Sequence, residues 1–286
     1  MKNKVAYFLR CIIGVFLKTI INVGFFLRIP PGKLNNNNNI AVSLTSYGRR
    51  VSSTVPYTLY YLLLQKVKPS KIYLWLDNVN WNENNIPWKL KFLVNQGIEI
   101  KFCKDIRSYK KLIYALPLCT NTPVVTIDDD IIYSRNLIKD FLFLHKKHPN
   151  SVISFRYRQP KWNENGRSLL PYSQWSHAFN APKTLNPLPI GVGGILYPPS
   201  CFNDDVFNEG VFMQLCPKAD DIWFWAMEML NGTRILGFNK MMFYPFDFFY
   251  QKIHRGASLY DSNVGSSEND NQIKAVLDFY NLWNKI

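Results

Sequence analysis

Three consecutive aspartates, Asp128, Asp129 and Asp130, interrupt the apolar stretch PVVTIDDDIIY, whose Val and Ile residues favour a β-strand. Three like charges are costly on a buried strand unless a partner neutralises them. Because side chains alternate along an extended strand, Asp128 and Asp130 are expected on one face and Asp129 on the other. The alternative is an acidic turn that merely ends the strand.

Two carboxylates that project together repel each other unless a cation lies between them. Carboxylate oxygens suit hard divalent ions such as Mn²⁺ or Mg²⁺, whose open positions diphosphate oxygens can fill. The spacing therefore predicts a metal site at Asp128 and Asp130. Asp129 is left to accept hydrogen bonds from a sugar or ribose hydroxyl, or from the protein.

A second acidic pair, Asp220 and Asp221, lies in the segment CPKADDIWFWAMEML (216–230), where the two residues are expected at the start of a helix. One interpretation of this pair is a second acidic part of a functional site. The alternative is ordinary N-terminal capping, because acidic residues there interact favourably with the helix dipole.

These acidic residues depend on an alternating series of strands and helices. Strands are predicted over 40–47, 71–77, 98–105, 123–130 and 151–157, and helices over 53–65, 88–97, 108–118 and 136–148. This alternation predicts an α/β fold with a central, mostly parallel sheet flanked by helices. Ligands of such sheets bind beyond the carboxyl ends of the strands, where Asp77, Asp105 and the aspartate triplet are expected.

The first 30 residues form a separate predicted unit, a membrane-associated helix. Residues 5–27 are long and apolar enough to span a bilayer, but Arg10 and Lys18 interrupt them. Arg10, Gly14, Lys18 and Asn22 follow an i, i+4 row, which favours an amphipathic helix lying in the membrane interface. A spanning anchor and an ordinary core helix are the alternatives. An Asn-rich linker, 31–39, then precedes the predicted catalytic domain, 40–286.

Composition and missing motifs narrow the function. The chain has a formal net charge of +14 and a pI near 9.5, which favours anionic partners such as phosphate-bearing substrates, acidic lipids or nucleic acid. Five widely spaced cysteines without a CxxC pair exclude a disulfide framework or zinc ribbon. The sequence has neither GxxxxGK[ST] nor an early GxGxxG, which disfavours P-loop and classical dinucleotide-binding enzymes.

The segments IAVSLTSYGRRV, IYLWLD, VVTIDDDIIY, GVGGILYPP, ADDIWFWAM and NDNQ resemble bacterial polysaccharide and lipopolysaccharide (O-antigen) glycosyltransferases of GT-A type, with a DxD motif. The resemblance covers most of residues 40–275. It implies a GT-A (Rossmann-like) domain, a nucleotide-diphosphate sugar donor, expected to be a UDP-sugar, and Mn²⁺ or Mg²⁺. It also implies a hexosyltransferase type of reaction with a saccharide or lipid-linked saccharide acceptor.

The resemblance also implies roles for residues near the donor. The nucleotide-binding positions are Thr45, Ser46, Tyr47, Arg49, Asp77, Asp105, Lys110, Asp128 and Asp129. Tyr47 is a candidate for stacking on the base, and Arg49 or Arg50 for the diphosphate. Of Lys110 and Lys111, one is expected to approach the diphosphate and the other to be on the surface.

For the acceptor, the resemblance implies that, in an inverting transfer, Asp221 is the general base, with Asp220 as a close second; retention of configuration is the alternative. Gly193 and Gly194, with Gly191, would let the backbone approach a sugar, although a tight turn between strands explains them as well. Trp162 and Trp175 are candidate platforms for sugar rings, with core packing as the alternative.

Two features near the C-terminus complete the set of candidates. His254 is expected as a late metal ligand. Asn269, Asp270 and Gln272 are expected to contact donor or acceptor, or to cap the last helix.

The favoured function is therefore a metal-dependent glycosyltransferase of cell-surface polysaccharide synthesis, at the cytoplasmic face of the bacterial inner membrane. A metal-dependent phosphoryl or nucleotidyl transferase, or a nucleic-acid-binding enzyme, is the alternative, because basic charge and paired aspartates also suit two-metal chemistry. No recognisable nucleic-acid-binding module supports that alternative. A non-catalytic membrane scaffold is disfavoured because several acidic strand ends converge.

Overall fold

The structure, a computed structural model, describes residues 2–166, 168–177, 186–238, 243–245 and 268–286. Its helices are α1 (Lys2–Phe26), α2 (Arg50–Ser53), α3 (Val55–Leu62), α4 (Trp88–Val94), α5 (Lys110–Ile113), α6 (Leu137–Lys147), α7 (Glu209–Leu215), α8 (Asp220–Leu230) and α9 (Glu268–Tyr280). The strands are β1 (Ala41–Thr45), β2 (Lys71–Asp77), β3 (Glu99–Cys103), β4 (Val124–Thr126), β5 (Ile131–Tyr133), β6 (Ser151–Ser154), β7 (Tyr157–Gln159), β8 (Ser176–His177), β9 (Leu188–Pro189), β10 (Ile195–Tyr197), β11 (Arg234–Gly237) and β12 (Phe243–Pro245).

A seven-stranded sheet forms the centre, in the order β11-β6-β10-β4-β1-β2-β3. Neighbouring strands are parallel except around β10, which runs antiparallel to both β4 and β6. The order β3-β2-β1-β4 is that of a Rossmann-like half-sheet, in which ligands bind where the chain reverses direction across the sheet. The predicted α/β architecture, with a mostly parallel sheet flanked by helices, is confirmed.

The two faces of the sheet carry separate cores, which explains why its strands are apolar throughout. On β2, Ile72 and Leu74 belong to one buried cluster, while Tyr73 and Trp75 belong to the other. Helices cover both faces, and α5 and α8 lie on the Trp75 side. Burial of both faces fixes the strand register, because a one-residue slip would exchange the two sets of side chains.

Three local predictions differ from the structure. The strand predicted over 123–130 ends at Thr126, so the aspartates lie in the turn between β4 and β5. The helix predicted over 108–118 is divided into α5 and flanking 3₁₀ turns, since Pro117 cannot continue a helix that includes Ile113. No strand was predicted within GVGGILYPP, whereas β10 forms a central strand there, directly after Gly194, whose φ is +83°.

Helix α1 lies against the domain through one face. Ile21 and Phe25 are buried, and Phe25 packs edge to face against aromatic rings of α3 and α4. No helix in the described part of the chain combines the length and apolar character that crossing a bilayer requires. The Asn-rich segment is also held to the domain, because Asn38 donates to the carbonyl of Lys68 at 2.6 Å.

Glu228, on α8, is fully buried, and neither of its carboxylate oxygens has a hydrogen-bond partner among the described residues. Burial, and then the charge of Asp221, raise the pKa of Glu228 well above its ordinary value of 4.5. The folded protein therefore holds a proton that the unfolded chain releases above that value. This stabilisation is fully present below about pH 4.5 and is lost as pH rises toward the folded-state pKa.

We therefore expect Glu228→Gln, which keeps the shape without an ionisable proton, to weaken the pH dependence of stability. Between about pH 5 and about pH 8, the wild type should lose more free energy of unfolding than the variant, with a slope of at most about 1.4 kcal/mol per pH unit. Urea denaturation at the two pH values measures this difference. The exposed Glu83→Gln variant is the control and should keep the wild-type slope. An unchanged slope in Glu228→Gln would contradict the expectation.

Candidate functional site

The aspartate triplet divides between two cations rather than sharing one. Asp129 and Asp130 face Arg50, with atom distances of 2.8 Å to Asp129 Oδ1 and 3.3 Å to Asp130 Oδ2. Asp128 Oδ1 instead lies 3.9 Å from Lys111 Nζ. The alternation argument, with Asp128 and Asp130 on one face and Asp129 on the other, is wrong because the strand ends before the triplet begins.

Asp129 is the most buried of the three. It fastens the turn between β4 and β5 that holds the three aspartates, called the acidic turn below, to the loop after β1. Ser46 Oγ donates to Asp129 Oδ2 at 2.5 Å, and Arg50 donates to Oδ1 at 2.8 Å. Thr58 Oγ1, on α3, donates to the Asp129 carbonyl at 3.0 Å. Both carboxylate oxygens of Asp129 therefore accept hydrogen bonds from the protein itself, which was one of the alternatives predicted for this residue.

A second cluster forms where α8 meets the acidic turn. Lys111 Nζ is 3.0 Å from Asp220 Oδ2, and the backbone N–H of Gly191 donates to Asp221 Oδ2 at 3.0 Å. A Cβ atom placed on Gly191 would lie 3.1 Å from Lys111 Nζ, 3.2 Å from Asp221 Oδ1 and 3.6 Å from Asp128 Oδ1. Gly191 therefore faces the centre of the cluster, and a side chain there would press against its charged atoms.

Local hydrogen bonds explain why these distant segments meet. Ser43, on β1, donates its hydroxyl to the carbonyl of Lys111. Tyr109 Oη donates to the carbonyl of Cys216 at 2.6 Å, which ties the segment before α5 to the approach to α8. Tyr133 Oη accepts from the N–H of Asp128 at 2.9 Å and donates to the carbonyl of Val192 at 3.3 Å.

Asp220 and Asp221 lie in the first turn of α8, but neither is the cap residue. The cap position is Ala219, which forms no side-chain hydrogen bond to the helix. Burial, and then the charge of Asp220, raise the pKa of Asp221 to about 7, although Lys111 and the Gly191 N–H oppose this change. Asp220 is ion-paired and Asp221 retains a proton at mildly acidic pH, so the two carboxyl groups have different environments.

The acidic turn carries the same kind of perturbation. Burial, and then the charge of Asp129, raise the pKa of Asp130 to about 7. Burial also raises the pKa of Asp128, with Lys111 opposing it. Carboxyl groups that are held together in this way favour a further positive charge nearby.

The donor atoms suit a divalent ion that arrives with a nucleotide. In the ranges that the structure describes, no three His, Cys, Asp or Glu side chains converge to form a metal site by themselves. Mg²⁺ in nucleotide sites needs one or two carboxylates, because phosphate oxygens and water complete its octahedron. Asp128, whose side chain is one-third exposed, and Asp130 provide carboxylates of this kind. His254, the third predicted ligand, lies outside the described residues.

The other residues predicted to bind the nucleotide lie at the same edge of the sheet, but they differ in solvent exposure and in contacts. Tyr47 is exposed, and its ring centre lies 5.5 Å from the Arg50 guanidinium. Arg49 is exposed, so it is Arg50 that contacts the acidic turn. Thr45 donates its hydroxyl to the carbonyl of Trp75 at 2.8 Å.

Asp77, Asp105 and Lys110 are occupied by their own loops. Asp77 Oδ1 accepts from both the backbone and side-chain nitrogens of Asn80 at 2.8 Å. Lys110 is buried and pairs with Asp105. Lys110 is thus occupied by Asp105, whereas Lys111 enters the acidic cluster. The expectation that one of the two lysines is on the surface is wrong, because both are buried.

Among the acceptor candidates, the structure places three in packed surroundings. A Cβ on Gly193 would lie 2.6 Å from that of Arg156, and one on Gly194 3.3 Å from the Phe141 ring, so these glycines serve close packing. Trp175 is 2% exposed and donates its indole N–H to a carbonyl, so its prediction as a sugar platform is wrong. Trp162 is half-buried, with its ring centre 6.2 Å from that of Trp283.

The NDNQ segment attaches α9 to neighbouring segments. Asp270 Oδ1 accepts from the N–H of Tyr172 at 2.6 Å, and Gln272 Oε1 accepts from the N–H of Lys218 at 2.9 Å. Asn269 is buried. Through Lys218 this segment supports the start of α8, two residues before Asp220.

Sequence reasoning missed Tyr133 and Thr58 as supports of the acidic turn. Both are strand or helix residues whose hydroxyl groups bond to backbone atoms of residues 128 and 129. Tyr133 follows the triplet directly, in IIY, and its phenol within an apolar strand was the available signal.

Comparisons with known proteins give a distant likeness in fold. No protein-family model matches the chain, and no curated protein matches it. The chain is similar to S. aureus TarS 1–349, with a TM-score of 0.48 and 14% identity over 86% of this chain and 83% of that one.

Two further solved structures extend the comparison. For TarS 1–349 in complex with UDP the TM-score is 0.46, with 15% identity, and the match covers 72% of this chain but only 60% of that one. For a CMP:2-keto-3-deoxy-manno-octonic acid synthetase complexed with CTP, the values are 0.42 and 12%, over 70% and 88%. These values are too low to assign a function or residue roles.

Asp129→Ala should destabilise the protein by about 2 kcal/mol, because it removes a buried acceptor from Ser46 and Arg50, and Arg50 is partly exposed. The matched control is Glu209→Ala, which removes an exposed ion pair with Lys104 and should cost about 0.5 kcal/mol or less. Chemical denaturation of both variants measures the difference. Equal losses would show that Asp129 does not fasten the two loops.

Proposed function

We propose that this chain is a GT-A type glycosyltransferase of the hexosyltransferase kind. It would move a sugar from a nucleotide-diphosphate sugar, a UDP-sugar, to a saccharide or lipid-linked saccharide acceptor in cell-surface polysaccharide synthesis. The sequence resemblance motivates this proposal, and the arrangement of the acidic residues supports it.

One observation carries the proposal. Asp128 and Asp221, which are 93 positions apart, approach the same point beside Gly191 at the carboxyl ends of β1 and β4. A transferase that inverts the configuration at the reacting carbon needs groups for the leaving diphosphate and for the incoming hydroxyl on opposite sides of that carbon. Two acidic segments that meet beside Gly191, where a side chain would press against them, place candidate groups of both kinds close together.

The donor half consists of the loop after β1 and the acidic turn. Tyr47 is free to stack on a nucleotide base, and Arg50, with a side chain 37% exposed, stands beside the aspartates as a partner for phosphate oxygens. Asp128 and Asp130 are the residues that would hold Mn²⁺ or Mg²⁺ together with the diphosphate. The ion would supply positive charge that stabilises the departing nucleoside diphosphate.

Asp221 is the residue that would receive the acceptor proton. The acceptor oxygen forms a bond to the anomeric carbon as the bond from that carbon to the diphosphate oxygen breaks, and the hydroxyl proton passes to an Asp221 carboxylate oxygen. A pKa raised to about 7 by burial suits a base that works near neutral pH. Lys111 neutralises the adjacent Asp220 and so keeps the two acids close together.

Slow donor hydrolysis tests the donor half without a known acceptor. We expect the purified chain to release UDP from a UDP-sugar, with Mn²⁺ or Mg²⁺ stimulating the reaction and chelation abolishing the stimulation. Asp128→Asn and Asp130→Asn should each lower the stimulated rate by roughly tenfold or more. The exposed Asp204→Asn is the matched control and should retain the wild-type rate.

The outcome also separates the competing functions. Tight binding of duplex DNA without binding of any nucleotide sugar would contradict the proposal and favour the nucleic-acid alternative. Cleavage or transfer at the nucleotide's own phosphate groups, with the sugar–phosphate bond intact, would favour a phosphoryl or nucleotidyl transferase.

Asp221→Asn tests the base. In the wild type, kcat/KM should rise as pH increases through about 7, because the carboxyl group accepts a proton only after it has lost its own. The variant should lose about 10²–10⁴-fold in kcat/KM at high pH and lose that pH-dependent limb. A pH profile of transfer, or of hydrolysis if no acceptor is found, measures both. If kcat/KM of the variant still rose with pH through about 7, another residue would be the base.

A further inference from the structure

Helix α1 has two faces with opposite surroundings. Its inner face carries Ile21, Gly24 and Phe25, which are buried against α3 and α4. A Cβ on Gly24 would lie 2.5 Å from Tyr60 Oη, so the helix and α3 are in close contact. The orientation of α1 about its own axis is therefore fixed by packing.

Part of the polar row predicted from the sequence contacts the domain. Asn22 Oδ1 accepts from Tyr57 Oη at 3.1 Å and from Lys89 Nζ at 2.6 Å. Lys18 Nζ lies 5.0 Å from the centre of the Tyr57 ring, and Gly14 is buried. Gly14, Lys18 and Asn22 therefore face or contact the domain, although Asn22 stays exposed, and a set of exposed apolar side chains lies on the outer side of the helix.

Although it includes the exposed Thr19, whose hydroxyl donates to the carbonyl of Val15 at 3.1 Å, the outer face is mainly apolar. It is formed by Leu9, Ile12, Phe16, Ile20, Val23 and Phe26. These side chains are between 48% and 84% exposed, and at 3.6 residues per turn they occupy about 120° of the helix circumference. An apolar surface of this length is unfavourable in free energy when it is exposed to water, and such surfaces mark interaction sites.

The charge of the N-terminal segment indicates which partner binds the outer face of α1. Residues 1–33 contain six Lys and Arg and no Asp or Glu. Two copies of such a helix, paired face to face about a two-fold axis, would bring like charges together. An anionic bilayer surface instead offers both the apolar interior for the outer face and the opposite charge for its basic flanks.

We propose that the outer face of α1 docks on the surface of an anionic lipid bilayer, with the helix lying in the interface. The docking surface is joined to the candidate site through α3. In that helix Tyr57 bonds to Asn22 of α1, and the next residue, Thr58, bonds to the carbonyl of Asp129. Docking would therefore set the position of the acidic turn relative to the membrane.

The test is sedimentation of the full chain with vesicles of phosphatidylcholine, with and without phosphatidylglycerol. We expect wild-type protein to bind the anionic vesicles and to be released by high salt. The double variant Phe16→Glu, Ile20→Glu should reduce binding by roughly tenfold or more, because it removes two apolar side chains and adds two negative charges. The matched control, Phe279→Glu, changes an exposed aromatic residue on α9 and should bind as the wild type does.

Donor hydrolysis and thermal unfolding of the double variant separate loss of docking from loss of folding or catalysis. Wild-type values with lost vesicle binding support the proposal, whether or not the chain proves to be a glycosyltransferase. Equal binding of wild type and double variant would overturn it, as would equal binding to neutral and anionic vesicles. A wild-type dimer in sedimentation velocity that dissociates in the double variant, without vesicle binding, would assign the surface to a second copy instead.

Discussion

The site depends on the interaction of the buried Lys111 ammonium group with the surrounding carboxylates. Three carboxylates, those of Asp128, Asp220 and Asp221, come from two segments far apart in sequence, and bringing them together without a cation would be opposed by repulsion and desolvation. One ammonium compensates only part of that charge. The remaining cost appears as raised pKa values at Asp128 and Asp221, so the same arrangement that permits the cluster also makes one of its acids a suitable proton acceptor.

The sheet could be predicted from the sequence because its strands are buried on both faces. Runs such as KIYLWLD have no period-two pattern, and their regular alternation with helices indicated a parallel sheet. The missing element was β10, a three-residue strand that follows a glycine turn. Its position between β4 and β6 depends on long-range antiparallel pairing, and no pattern within ILY specifies that pairing.

Residue types in the site were predictable, but the choice between neighbours was not. Asp220 and Asp221 were identified from ADDIWF, whereas Arg50 over Arg49 and Lys111 over Lys110 depend on the rotation of α2 and α5, which are four residues each. Such short helices carry no periodicity from which a face can be read. The strand alternation argument for the triplet failed for a related reason, because repulsion among adjacent carboxylates favours a turn, where each can find its own partner.

The distribution of charge connects the two ends of the molecule. Residues 1–76 contain eleven Lys and Arg and no Asp or Glu, so most of the formal net charge of +14 lies in the segment that includes α1, the loop after β1 and α3. This basic segment contacts the negatively charged acidic turn through Arg50 and Thr58. A basic N-terminal segment therefore both holds the acidic site in place and supplies a surface for anionic partners, and α3 is the element that belongs to both contacts.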